Sequence, residues 1–161
     1  MKIRDAKKED IEKIWEIEKE SRIYHTKITK EKFQRLNKSK TDKKAESEFK
    51  KELEKDISKK NIVFLVAEIS GEVIGWVSST LGTWNWSDKP PEAIWINDIG
   101  VLKKYQKQGT ATKLLKETEK LARKKGAKYA YLGVWAENKP AYNLYRKNNY
   151  EDFQIKLAKR L

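Results

Sequence analysis

The segment Ile99-Gly100-Val101-Leu102-Lys103-Lys104-Tyr105-Gln106-Lys107-Gln108-Gly109-Thr110-Ala111-Thr112 has the composition of an anion-binding turn. An apolar run ends, a basic loop follows, and a helical pattern opens on small residues. The first amides of a helix have no partner within it, and the helix dipole adds partial positive charge at that end. Gly109 and Ala111 leave those amides open to a phosphate, and Lys103, Lys104 and Lys107 add positive charge nearby. An ordinary strand-to-helix turn with solvated lysines has the same residues, so the segment by itself leaves both readings standing. Familiar phosphate loops do not fit, since neither G-x-x-x-x-G-K-[ST] nor G-x-G-x-x-G occurs.

A second segment, Ala136-Glu137-Asn138-Lys139-Pro140-Ala141-Tyr142-Asn143-Leu144-Tyr145, reads as a helix start. Asn138 is a natural N-cap, and Pro140 falls in the first turn, where its missing N–H costs nothing. Tyr145 follows Asn138 by about two turns, so the two share a face at a separation of roughly 10 Å. A cap plus an aromatic packed beside Leu144 is the plain structural account of this pair.

The chain of 161 residues has the length of one domain, and 1–161 is read as a single one. It has no Cys and one His, His25, which excludes disulfides and leaves no ligand set for zinc, so no metal is expected. No apolar run of membrane-spanning length occurs, and no signal-peptide core follows Met1, so a cytoplasmic location is expected with no membrane partner. The net charge of +13 is unevenly spread. Residues 27–60 carry +6, residues 61–102 carry −4, and residues 103–128 carry +8. The basic block around the proposed turn favours a polyanionic ligand, whether a nucleotide cofactor or a nucleic acid.

Elements must position these residues. Lys2–Arg4 is a short strand, and Ile11, Ile14, Trp15 and Ile17 mark a helix over about 7–21. Thr29 caps a short helix with Phe33 and Leu36; Thr41 or Asp42 starts another whose narrow ridge of Ala45, Phe49, Leu53 and Ile57 suggests a surface lid. Ile62–Ile69 reads as a strand buried on both faces, Ser70-Gly71 as a hairpin turn, and Glu72–Leu81 as its return strand. A loop over 82–91 leads to a strand at Ala93–Val101. A helix over Thr110–Lys125, a strand at Lys128–Trp135, a helix at Lys139–Lys147 and a strand at Tyr150–Ala158 complete an α+β order.

The pattern Gln106-Lys107-Gln108-Gly109-Thr110-Ala111 after a strand, read with Asn138 and Tyr145 downstream, resembles the GCN5-related N-acetyltransferase (GNAT) family over nearly the whole chain. The resemblance implies a mixed central sheet, mostly antiparallel, with a splayed parallel pair at a cofactor cleft and about four flanking helices. It implies acetyl-CoA as acetyl donor and direct transfer to a primary amine in a ternary complex. Ile99 and Val101 match positions whose backbone pairs with the pantetheine arm. Gln108, Gly109, Thr110, Ala111 and Thr112 match those whose amides hold the pyrophosphate, in a motif begun by Gln106 and Lys107. Gly100 is small enough for close approach of a ligand or for a bulge. Asn138 would bond the cofactor arm, and Tyr145 would give its phenolic proton to the departing thiolate.

The acceptor side is less constrained. Attack by an amine requires a group that takes its proton. Some relatives place a Glu on the strand after the phosphate helix, where this chain has Gly133. Asp98 and Glu137 are the remaining carboxylate candidates. Tyr24 and His25, in an expected inter-helix loop, and Trp84 and Trp86, in the 82–91 loop, are candidates for an acceptor pocket; packing or an oligomer contact explains them as well. The family's Gly-Phe after the last helix is Asn149-Tyr150 here, and the strand after it leaves room for no terminal pair, so a homodimer covering that edge is an expectation. Two other classes stay in view: a basic nucleic-acid-binding module, which no recognisable motif supports, and an idle acyl-CoA binder of the same fold.

Overall fold

Apolar residues run almost without interruption from 62 to 69, which demands cover on both faces of a strand. The computed structural model, which describes residues 1–30, 40–83 and 92–159, provides that cover. Strands β1 (Lys2–Asp5), β2 (Ile62–Ile69), β3 (Glu72–Thr83), β4 (Glu92–Val101) and β5 (Tyr129–Leu132) form one sheet in that order. Neighbours are antiparallel except β4 and β5, which are parallel. Helices α1 (Ile11–Ile28) and α2 (Lys43–Asp56) pack on one face, and α3 (Thr110–Lys124) and α4 (Lys139–Lys147) lie with the opposite core. Strand alternation, shifted by one on β3 by a bulge that leaves Ile74 as the extra residue, sorts the residues: Phe64, Val66 and Trp76 join the first core, while Val63, Leu65, Ile74 and Val77 join the second. Ser70 and Gly71 both have positive φ, at 50° and 84°, as a tight two-residue hairpin turn requires. Among the described residues no helix is long and apolar enough to cross a membrane.

Several expectations are corrected. Helix α1 runs about two turns past Ser21, so Tyr24 and His25 lie on a helix, not in a loop. Its polar tail is held by Arg22 Nε donating to Glu18 at 2.7 Å and by Thr29 closing the last turn onto the His25 carbonyl at 2.7 Å. Helix α2 is no peripheral lid: Phe49 is buried, with its ring 5.5 Å from Trp15 and 5.9 Å from Trp76. Residues 151–159 form no strand, and Phe153, Ile155 and Leu157 are exposed. Alternating apolar residues confer the tendency to pair, but a strand also needs a partner edge in register. The expected helix bearing Phe33 and Leu36, and the loop bearing Trp84 and Trp86, lie outside the described residues.

Gly100 is small for a reason other than ligand approach. A Cβ built there would lie 2.8 Å from Trp76 Nε1 and 2.9 Å from Ile17 Cγ2, both in the packed core. Gly100→Ala should therefore destabilise the chain by about 1–3 kcal/mol, lowering Tm by roughly 5 °C in a melt without ligand. An unchanged Tm would show that Trp76 and α1 yield freely.

Candidate active site

The parallel pair β4–β5 is short. Its register runs from Ala93 opposite Tyr129 to Ile96 opposite Leu132, and there it stops. Beyond that point β4 continues through Val101 paired only with β3, so the strands form a fork with one edge of Asn97–Val101 unpaired. A β-bulge lies at the crotch of the fork: Ser78 pairs with Asp98 and Ser79 with Ile96, leaving Asn97 as the extra residue. Its amide is tied across the sheet to Thr80 Oγ1 at 2.8 Å. The bulge shifts the alternation by one. Ile94 and Ile96 face the α3 side and so do Ile99 and Val101, while Asp98 and Gly100 turn to the α1 side. Without it Asp98 would point into the α3 core. Just past β5, Gly133 leaves open space on the other prong: a Cβ built there meets nothing within 4 Å.

The turn between β4 and α3 has the expected form. Gly109 is the residue before α3, with φ 81°, a conformation that only glycine adopts readily, and no side chain caps the helix. The first intrahelical bond is from Lys113 N–H to the Gly109 carbonyl at 3.0 Å, so the amides of Thr110, Ala111 and Thr112 precede it. A Cβ built on Gly109 meets nothing within 4 Å, which leaves the approach to these amides clear. Two glutamines shape the loop: Gln106 Nε2 donates to the Val101 carbonyl at 3.0 Å and Gln108 Nε2 to the Lys104 carbonyl at 3.1 Å. One of the β4 carbonyls expected to face the arm is thus already engaged. Lys104 is drawn off by Glu72 at 3.1 Å. Lys103, Lys107, Lys113 and Lys116 are exposed and, among the described residues, their side chains carry no ion pair. They are the cations left around the turn.

Helix α4 has the bounds the sequence indicates, with Asn138 as N-cap and Pro in the first turn. Asn138 Oδ1 accepts from Ala141 N–H at 3.2 Å, which fixes the amide orientation. Its Nδ2 then donates to His25 Nε2 at 3.2 Å, so the His25 proton sits on Nδ1. Burial lowers the His25 pKa, in keeping with a neutral acceptor. Two residues 113 apart in sequence thereby join the tail of α1 to the start of α4. Glu137 beside them faces Lys30 at 3.7 Å, and Tyr24 is exposed. At the other end of α4, Asn149 adopts φ 65°, replacing the usual glycine, and folds Tyr150 back so that its ring meets Tyr145 at 5.9 Å. Tyr150 donates its hydroxyl to Glu119 at 3.0 Å, clamping the pair to α3.

Tyr145 is 8% exposed, and its hydroxyl makes no hydrogen bond among the described residues. Burial, and next the negative charge of Asp98, push its pKa up to about 12. The two residues therefore share one electrostatic site, and Tyr145 keeps its proton through neutral pH. Asp98 opens to solvent yet lies in a recess; lost hydration raises its pKa, Arg22 opposes that, and Glu52 adds to it. Glu18 belongs to the same group. It is 9% exposed on the sheet-facing stripe of α1, and burial lifts its pKa to about 7 against the pull of Arg22, with Asp98 adding repulsion. Glu18 and Arg22 were missed in the sequence. The available signal was an acid at 18 continuing the apolar row 11, 14, 15. The structure couples Asp98, on the unpaired stretch of β4, to Tyr145, pairs Asn138 with His25, sets the Gly109 turn beyond the end of β4, and leaves Glu137 in a surface pair.

Residues 6–150 match the model of the Acetyltransferase (GNAT) family. An N-alpha-acetyltransferase of Sulfurisphaera tokodaii is 32% identical over 98 residues, which cover 57% of this chain and 58% of that relative, a little over half its length. Among solved structures, the BH1408 protein of Bacillus halodurans superposes with a TM-score of 0.86 at 15% identity, covering 100% of this chain and 99% of that one. An aminoglycoside N-acetyltransferase solved in complex with CoA superposes with a TM-score of 0.66 at 15% identity, covering 99% and 98%. At such identities the structures establish a shared fold. With a forked parallel pair, an uncapped glycine turn at its end and a family match over nearly its whole length, the chain belongs to the GNAT acetyltransferase family.

Proposed function

We propose that residues 1–161 act as one acetyl-CoA-dependent N-acetyltransferase domain, passing acetyl directly to a primary amine in a ternary complex. The fork between β4 and β5 beyond Ile96 and Leu132 is the observation that carries this function. It leaves a strand edge at Ile99, Gly100 and Val101 on which an extended arm can align, with a phosphate-sized opening at Gly109 and a buried phenol at Tyr145. The residues fit the donor: free amides and unpaired lysines face its charge, and the Tyr145 hydroxyl lacks any other partner. Acetyl-CoA supplies an activated acyl group on a thiol leaving group. The amides of Gly109 to Thr112 hold its pyrophosphate, with Gln106, Lys107 and Gln108 shaping the loop, and Asn138 orients the arm. Tyr145 donates a hydrogen bond, and then its proton, to the sulfur as charge develops there. Asp98, at the bulge and coupled to Tyr145, takes the proton from the amine. His25 lines the acceptor side.

The N-alpha-acetyltransferase relative favours a peptide α-amine as acceptor. A panel of peptide α-amines, lysine side chains, aminoglycosides and small diamines, scored by thiol release from acetyl-CoA, tests the activity. At least one amine should release thiol, and Asp98→Asn should lower kcat/KM for it by roughly 100-fold, with acetyl-CoA affinity held within about twofold. Binding without thiol release on any amine would identify an idle acyl-CoA binder instead. Affinity for nucleic acid that falls steeply with salt, with no acetyl-CoA binding, would favour a nucleic-acid module.

A further inference from the structure

Transfer of acetyl to an ammonium forms a C–N bond and breaks a C–S bond. Two protons leave the nitrogen: one ends on the thiol sulfur and the other goes to solvent. The base must therefore take up and release a proton in every turnover, which works best when its proton affinity lies near the working pH. An aspartate beside an arginine is poorly suited to that, because the cation holds the carboxylate ionised.

Glu18 changes the balance at Asp98. It lies on the stripe of α1 that faces the sheet, 9% exposed, with one oxygen held by Arg22 Nε at 2.7 Å. Its second oxygen accepts no hydrogen bond among the described residues, and neither does the Asp98 carboxylate. Arg22 is fixed from other directions too. Its guanidinium stacks 5.3 Å from the Trp15 ring and 5.0 Å from the Phe49 ring and donates to the Lys40 carbonyl at 3.0 Å. The charged or titratable groups facing this site are Glu18 and Arg22 from α1, Glu52 from α2, Asp98 from β4 and Tyr145 from α4. Arg22 is thus bonded to Glu18 and also acts through space on Asp98, near a nine-tenths-buried phenol that makes no hydrogen bond among the described residues.

We propose that Glu18 is a positioning residue for proton transfer, neutralising Arg22 so that Asp98 can collect and give up the proton of the acceptor amine. This role rests on Asp98 being the base. Repulsion between the two carboxylates is mutual, so they titrate as a pair. The direction of each shift is in keeping with the assignment: burial raises both groups, Asp98 adds to the rise at Glu18, and at Asp98 Glu52 adds to it while Arg22 opposes it.

The test is the pH profile of kcat/KM for an amine that the chain acetylates, measured on the full chain. Glu18→Gln leaves Arg22 acting on Asp98 alone, so the acid limb should move down by about one pH unit. Arg22→Gln should move it up, and Glu18→Asp should keep it near the original position. Retained stabilisation by acetyl-CoA shows that each variant is folded. Opposed shifts are not what mere structural damage produces. A rate that falls equally at every pH in both variants, with the limb unmoved, overturns the role of Glu18. Absence of acetyl transfer by the unaltered chain would overturn the underlying activity instead.

Discussion

Gly109→Glu should abolish the stabilisation of the chain by acetyl-CoA while leaving it folded. Gly109 has φ 81°, so any side chain there is strained by about 1–2 kcal/mol, a tolerable loss. A Cβ at that position meets nothing within 4 Å, so no core contact is disturbed. The new carboxylate would, however, project into the space in front of the Thr110, Ala111 and Thr112 amides and repel a phosphate. For the unaltered chain, ligand at a hundredfold excess over Kd contributes about 2.7 kcal/mol, or roughly 5–10 °C in Tm at this size. The variant should show none of this. Gly109→Ala, which carries the strain without the charge, should retain part of it. A full shift in Gly109→Glu would place the phosphates elsewhere.

Tyr145→Phe should lower kcat by about 100- to 10,000-fold, the range of general acid–base groups. The ring itself is kept, so its contact with Tyr150 at 5.9 Å and the core around it survive. What disappears is a phenolic hydroxyl on a largely buried ring that makes no hydrogen bond among the described residues. Because the pKa of Tyr145 is pushed up to about 12, its proton is present throughout the accessible range, and the loss should appear at every pH. KM for acetyl-CoA should stay within about twofold, as for an interaction made only when charge develops on sulfur. Equal losses in kcat and in cofactor affinity would make Tyr145 a packing residue.

Local chemistry explains which parts of this could be read in the sequence. The Gly109 turn and α4 were legible because they depend on neighbours in the chain: Asn138 caps, Pro140 starts the helix, and Asn149 tolerates the left-handed turn. The strand order and the parallel pair came with the family resemblance. The bulge was written in the sequence as a phase jump, with apolar residues at 94, 96, 99 and 101, which explains how Asp98 comes to face α1. Glu18 looked like one more charge on a charged helix; only its burial and the nearby Asp98 of β4 distinguish it. His25 was displaced by a helix boundary, since its contact with Asn138 links residues that no local pattern connects. The 150–158 segment failed for the opposite reason: its alternation is local, and the pairing it would need is not.

Hydrogen–deuterium exchange of the full chain, with and without saturating acetyl-CoA, tests the central claim most directly. Protection should appear in peptides covering residues 97–101, the unpaired edge of β4, and residues 106–113, the turn and first amides of α3. Peptides in β1 and β2, distant from the fork in the sheet order, should be unchanged. Acetyl-CoA that protects neither segment, or that binds with protection confined to other parts of the chain, would contradict a donor site in the fork.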